Sequence, residues 1–319
     1  MADRRAPSVR GRQVAAELRR LRDAAALTGE EAATRLGWSA SKISRIETGL
    51  TAVSPADLRK LLDLYQVAGT QRSRLELLGQ SAGQRGWWDA YGDVLGPEYT
   101  ALIALESDAE SVRWYSPMLV PGLLQTERYA REVVRAGLLI APPGEVERRV
   151  QVKMNRQRVL TRNGGGNGGN GGHGGSGGHG GSDGNGPGAG SGPGSGAGPL
   201  RLSVVLDEAA LLRPVGGAEV MREQFRHLVE MTAHPNVTVQ VLALAAGIHP
   251  ATTGEFTILS FPELIAPDVV YLEHMTSDLY VEREADVYRY ALAFDQLRAL
   301  ALDPAESVAL IMKCSDRMN

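Results

Sequence analysis

Six polar side chains within ten residues carry the chemistry this chain states most openly. Ser39, Ser41, Lys42, Ser44, Arg45 and Thr48 supply hydroxyls, one ammonium and one guanidinium at helical spacing. Ile43 and Ile46 are three apart and face the same way. Placing them inward turns Ser41, Ser44, Arg45 and Thr48 outward at about 100° per residue, with Lys42 on the flank. Such a face suits the major groove of a duplex. An arginine can pair bidentately with guanine, and small hydroxyls can meet base edges or phosphates. Lys42 is better placed for a phosphate, a contact that positions a protein without reading sequence. These six residues are the expected DNA contacts.

The flanking elements must hold that face out. Thr28 and Glu31 have capping-box spacing, so a helix is expected to begin at Gly29, with Ala32, Ala33 and Leu36 along one side. Gly37 follows, the residue that takes the left-handed backbone a helix needs to stop and turn. Ser39 then caps a second helix, and Gly49 ends it. Ala33 is small, as required where two helices cross closely. Cap, small crossing residue, turn glycine and inward pair together predict a helix-turn-helix. Val14, Leu18 and Leu21 give a preceding helix its apolar stripe. Ser54, Pro55 and Asp57 open a following one, lined by Leu58, Leu61, Leu62 and Tyr65.

Residues 12–78 resemble the Xre-type (Cro/repressor-like) helix-turn-helix domain, and LGWSASKISRIETG is close to that family's recognition-helix pattern. Gly29 stands where the family often carries a glutamine that supports a phosphate contact. The resemblance implies double-stranded DNA as partner, and a two-fold operator matches a homodimer. A second resemblance begins downstream. GWWDAYGDVLGPEY, LESDAESVRWYSPMLVPGLLQTERYAREVVRAG, LDEAALLRPVGG, PNVTVQVLAL, GEFTILSF and VVYLEH are similar to the domain of unknown function fused to such regulators in actinomycetes. That similarity implies a regulator encoded beside a small partner protein, in an antitoxin-like or developmental arrangement.

At 319 residues two domains are expected: a mainly α helix-turn-helix bundle over 12–79 and an α+β regulatory domain with a small mixed sheet over 84–313. Residues 162–199 are almost wholly Gly, Asn, Ser, His and Pro. They read as a disordered Gly-rich loop inserted in the second domain, its ends roughly 30–35 Å apart as a coil. Residues 1–80 hold 14 basic and 9 acidic side chains and the remainder 20 and 28, so a head of +5 sits on a body of −8. A positive module at one end fits a phosphate footprint. No long apolar run predicts a membrane span. The first twelve residues are basic without an apolar segment, unlike a signal peptide. The lone Cys314 excludes an internal disulfide and suits a reducing cytoplasm, the expected location.

In the second half, Trp87 and Trp88 could form a ligand platform but are expected to pack between the domains, and 98–114 is mostly helical in pattern. Thr126 caps a short helix over 127–136. Residues 145–160 form a charged helix carrying Arg148, Arg149, Lys153, Arg156 and Arg158, a run that could touch DNA or an acidic partner but is read mainly as a solvated face. Strands are predicted over 200–206, 237–244, 256–261 and 269–273, and helices over 219–232, 285–302 and 305–313. Chemistry is not evident. No serine and lysine form a self-cleaving pair, no H-x-x-x-H occurs, and the glycine pairs are not followed by G-K-[ST]. His173 and His179, inside the loop, lack carboxylate or thiol companions. Asp207-Glu208 and Glu273-His274 end predicted strands, where polar residues commonly cap or turn. The reading is no enzyme, no cofactor and no metal. The expected alternative is a regulatory module that binds a small-molecule effector, a small partner protein or a second copy. Glu273, His274, Tyr271, His249 and Trp114 could line its site, although core or rim packing is their more ordinary use.

Overall fold

The computed structural model describes residues 9–82, 86–138, 142–162, 198–262, 267–275 and 277–318. The Gly-rich insertion with His173 and His179, and residues 1–8, lie outside them.

Residues 9–82 build five helices: α1 (Val9–Ala24), α2 (Gly29–Leu36), α3 (Ala40–Glu47), α4 (Pro55–Leu64) and α5 (Gly69–Ala82). Their starts follow the caps. The Thr28–Glu31 capping box is complete in both directions, and the two hydrogen bonds from Thr28 hold the Glu31 carboxyl below its ordinary range. Ser39 Oγ accepts from the Lys42 amide at 3.2 Å and Ser54 Oγ from that of Asp57 at 3.1 Å. Gly37 ends α2 at φ +68°, where any side chain would be strained. One apolar core joins the helices, with Leu18, Ala32, Ile43, Leu58, Leu62 and Leu75 at its centre.

The remaining chain contains α6 (Pro97–Asp108), β1 (Ser111–Ser116), α7 (Glu127–Gly137), α8 (Glu145–Arg156), β2 (Arg201–Asp207), α9 (Glu208–Leu212), α10 (Ala218–Thr232), β3 (Val237–Leu242), β4 (Phe256–Ser260), β5 (Val269–Glu273), β6 (Asp278–Val281), α11 (Glu284–Leu300) and α12 (Pro304–Asp316). The strands form one mixed sheet in the order β3-β2-β1-β4-β5-β6. β1, β2 and β3 are parallel, and β4, β5 and β6 add antiparallel beside β1. Register sets the two faces. Val112, Trp114, Leu202, Val204, Leu259 and Val269 point to one side, where Leu105, Tyr129, Phe225 and Ile311 cover them. Tyr115, Val205, Phe256, Ile258 and Val270 point to the other, under Val287, Phe294 and Leu297 of α11. The α+β architecture with a small mixed sheet is therefore present.

Several local expectations need correction. Residues 98–114 are not one helix: α6 stops at Asp108 and β1 starts three residues later, at the centre of the sheet. β6 is a further strand the pattern did not show. The parallel neighbours β1, β2 and β3 are joined through helices, and the antiparallel β4, β5 and β6 complete the mixed sheet. The basic helix α8 is not simply a solvated face. Arg156 is enclosed with Glu106, at 3% and 1% side-chain exposure. Its guanidinium donates to both Glu106 oxygens and to Tyr99 Oη. Burial opposes the arginine's charge, but Glu106 and Tyr99 outweigh it and push its pKa further up. Arg148 pairs with Asp93, and Arg149 with Glu145. Only Arg158 of the five arginines and lysines in that run is exposed.

Candidate nucleic-acid interface

Helix α3 is held from beneath. Ile43 and Ile46 are buried to 1% and 3% exposure, and Ala33 of α2 is buried in the same core. The end of α3 is clamped to α1: Arg22 Nε and Nη2 donate to the two Glu47 oxygens at 2.8 and 2.9 Å, while Nη1 donates to the Leu27 carbonyl at 2.7 Å. This fork-on-fork pair is largely enclosed, and the Glu47 bond raises the Arg22 pKa. The clamp fixes the rotation of α3 about its own axis, and so fixes which residues look out.

Those residues are the expected ones. Ser39, Ser41, Ser44, Arg45 and Thr48 are exposed and Lys42 is half-exposed. Their side chains are not equally free. Ser39 is occupied as the cap. Thr48 Oγ1 donates to the Ser44 carbonyl at 2.7 Å, which leaves it an acceptor for an incoming donor. Arg45 Nε donates to Thr51 Oγ1 at 3.1 Å, leaving its terminal nitrogens without a partner in that bond. Ser41 and Ser44 are small and outward.

Lys42 stands apart. Its ammonium lies 3.7 Å from the centre of the Trp38 ring and 2.9 Å from an Asp57 oxygen in the first turn of α4. Burial works to raise the Asp57 pKa, but hydrogen bonds from Lys42 and Ser54 outweigh it and hold the carboxyl low. Trp38, Thr51 and the Arg22–Glu47 clamp were not singled out by sequence, which marks Asp57 only as a first-turn acid of the next helix. Trp38 sits just before the Ser39 cap, outside α3, and folds its ring back over Lys42 in the helix's first turn.

In the C-terminal region the candidate residues separate. Asp207 is spent as the cap of α9, accepting from Ala209 N at 2.9 Å, and Glu208 accepts from Leu244 N. His249 lies on the α11 side, 3.4 Å from Tyr115 Oη. His274 sits in the β5–β6 turn, where its amide donates to Ser277. Trp114, Tyr271 and Glu273, by contrast, share one face. Trp114 Nε1 donates to Glu255 Oε1 at 2.6 Å, and Tyr271 lies against Tyr280 at 5.2 Å between ring centres. Glu255 keeps partial exposure, but its carboxyl is turned inward. Burial pushes its pKa up, Trp114 opposes that, and neighbouring Glu273 adds to it. Ser116 and Lys153 complete the surroundings. Glu255 and Lys153 were not expected in this group. The pairing of β4 beside β1 brings Glu255 there, and helix α8 carries Lys153. Cys314 is buried in the core, in keeping with a structural role.

Cap, turn and outward polar face together define a helix-turn-helix protein with DNA as its partner. Residues 13–75 match the family described as a helix-turn-helix domain. Residues 99–167 and 195–313, more than half of the chain, match the family described as a domain of unknown function (DUF5753), and the chain belongs to that family. No curated protein and no solved structure matches it. Among the described residues, no helix is long and apolar enough to cross a membrane.

Proposed function

We propose that this chain is a sequence-specific transcriptional regulator of the Xre type that binds operator DNA as a homodimer, in the cytoplasm. The observation that carries the reading is the clamped orientation of α3. Ile43, Ile46 and the Arg22–Glu47 pair fix the helix so that Ser41, Ser44, Arg45 and Thr48 face out together. In this reading Arg45 pairs with a guanine edge, the hydroxyls select neighbouring bases, and Lys42 exchanges Asp57 for a phosphate. The test is selection of duplexes from a random pool, followed by anisotropy titrations. Arg45→Ala relaxes preference at one position by about 1–3 kcal/mol, while Lys42→Ala weakens all duplexes alike. An unchanged profile for Arg45→Ala overturns the orientation.

The C-terminal domain is read as non-catalytic and regulatory. Trp114, Ser116, Glu255 and Lys153 gather at the carboxyl end of β1. There the sheet changes from parallel to antiparallel neighbours, the kind of place where strand-end crevices take ligands. This supports effector binding at that end. The resemblance of this half to regulators with a small companion supports a second reading, an antitoxin-like protein that sequesters its partner and represses its own operon. Copurification of the product of an adjacent small reading frame separates the two.

A further inference from the structure

Helix α11 presses Val287, Phe294 and Leu297 onto the sheet, and among the described residues its opposite side is left open. Tyr288, Arg289, Leu292, Asp295 and Gln296 run along that open side, with Ala285 and Ala299 at its ends, and all are exposed. Tyr288 is 62% exposed and Leu292 46%, a large apolar allowance for a helix whose other face is already packed.

The stripe has an internal symmetry. Counted from Leu292, Arg289 and Asp295 stand three residues to either side, Tyr288 and Gln296 four, and the two alanines seven. A second α11 laid antiparallel, with the two-fold axis at Leu292, therefore sets Leu292 against its own copy and alanine against alanine. It also brings each Arg289 level with Asp295 of the second copy, twice over. A parallel arrangement would instead set arginine beside arginine and aspartate beside aspartate. Within one chain these two charges have only loose partners: Arg289 is 3.9 Å from Asp286, and Asp295 is 3.8 Å from Arg298. Their side chains are 81% and 56% exposed. An unrelated partner protein has no reason to match a stripe whose charges complement its own reverse.

We propose that α11 is a dimerisation element, and that two copies of this chain pair antiparallel through the face centred on Leu292. The proposal rests on the dimeric part of the function above, and it names the surface that joins the two copies. One helix pair is a small interface, so a dissociation constant in roughly the micromolar range is expected.

Sedimentation velocity of the full chain without DNA, over a micromolar concentration series, tests it. Wild type is expected to dimerise. Arg289→Asp and Asp295→Arg each set like charges level with one another and are expected to weaken the dimer about tenfold or more. The combined Arg289→Asp/Asp295→Arg chain is expected to dimerise again, a rescue that a mere folding defect does not give. Wild type that stays monomeric, single variants that pair as wild type does, or a double variant as weak as the singles overturns the proposal. Duplex titration of the same proteins separates the two readings. A wild-type dimer that ignores every duplex sinks the DNA reading and leaves the α11 pairing standing.

Discussion

Lys42 and Asp57 place a carboxylate within reach of the surface where DNA phosphates are expected to lie. The ion pair is partly exposed, and such pairs contribute little to stability, on the order of 0–1 kcal/mol. Its effect on binding is larger in principle, because the lysine must leave or share its partner to meet a phosphate. Asp57→Asn removes both the competitor and a repelling charge. It is expected to tighten binding of all duplexes by about fivefold at low salt, without changing sequence preference. Weaker binding in the same titration would mean that Asp57 positions Lys42 rather than restraining it. Glu255 makes a prediction of opposite sign to the usual carboxylate. Burial, the largest cause, raises its folded pKa above the unfolded value. Its contribution is therefore fully present below the ordinary glutamate pKa, near 4, and is lost as pH rises through the folded value. Glu255→Gln keeps the shape and cannot ionise. Melting temperatures of the two proteins are expected to diverge in favour of the variant as pH climbs from about 4 toward neutrality. Parallel curves would show that the Trp114 bond offsets the burial.

Among elements, α3 is tied to α1 by the shared apolar core and by the enclosed Arg22–Glu47 fork. Removing one partner of such a pair strands the other charge, so Glu47→Ala is expected to cost about 3 kcal/mol in chemical denaturation of the helical head. It is also expected to blur sequence preference, since α3 loses its fixed rotation. A stability loss within error would show that Ile43 and Ile46 alone hold the helix. The elements differ in how far the sequence betrays them, and the cause is the range of the interactions. Thr28, Glu31, Gly37, Ser39 and Ser54 act on residues three or four away, and each helix they bound was readable within a residue or so. β1 was hidden. No glycine or proline separates it from α6, and SVRWYS carries an arginine and two serines, although it lies at the sheet's centre. Four-residue β6 is too short to display an alternation. Pairs such as Arg22–Glu47 and Arg156–Glu106 join residues 25 and 50 positions apart, and no local spacing announces them. The outward face of α3 was legible in the same way as its caps. The Trp114–Glu255 group was not, because it exists only once β4 lies against β1.

The whole molecule is polarised: a head of +5 joined to a body of −8. Such a chain approaches DNA by one end, and its affinity is expected to be strongly salt-dependent. Two copies tied through α11 would present two heads to two half-sites, so the strength of the tie sets how far the second contact follows from the first. A stripe that matches its own reverse cannot distinguish an intact sister from a damaged one. Chains with a crippled recognition helix would still be recruited into mixed pairs, and each would take one good head out of service. Arg45→Ala supplied in trans is therefore expected to poison a wild-type reporter in proportion to its dose, whereas Arg45→Ala combined with Arg289→Asp would leave the reporter regulated. Inheritance of the defect, dominant or recessive, would then be decided on a helix remote in sequence from every residue that reads a base.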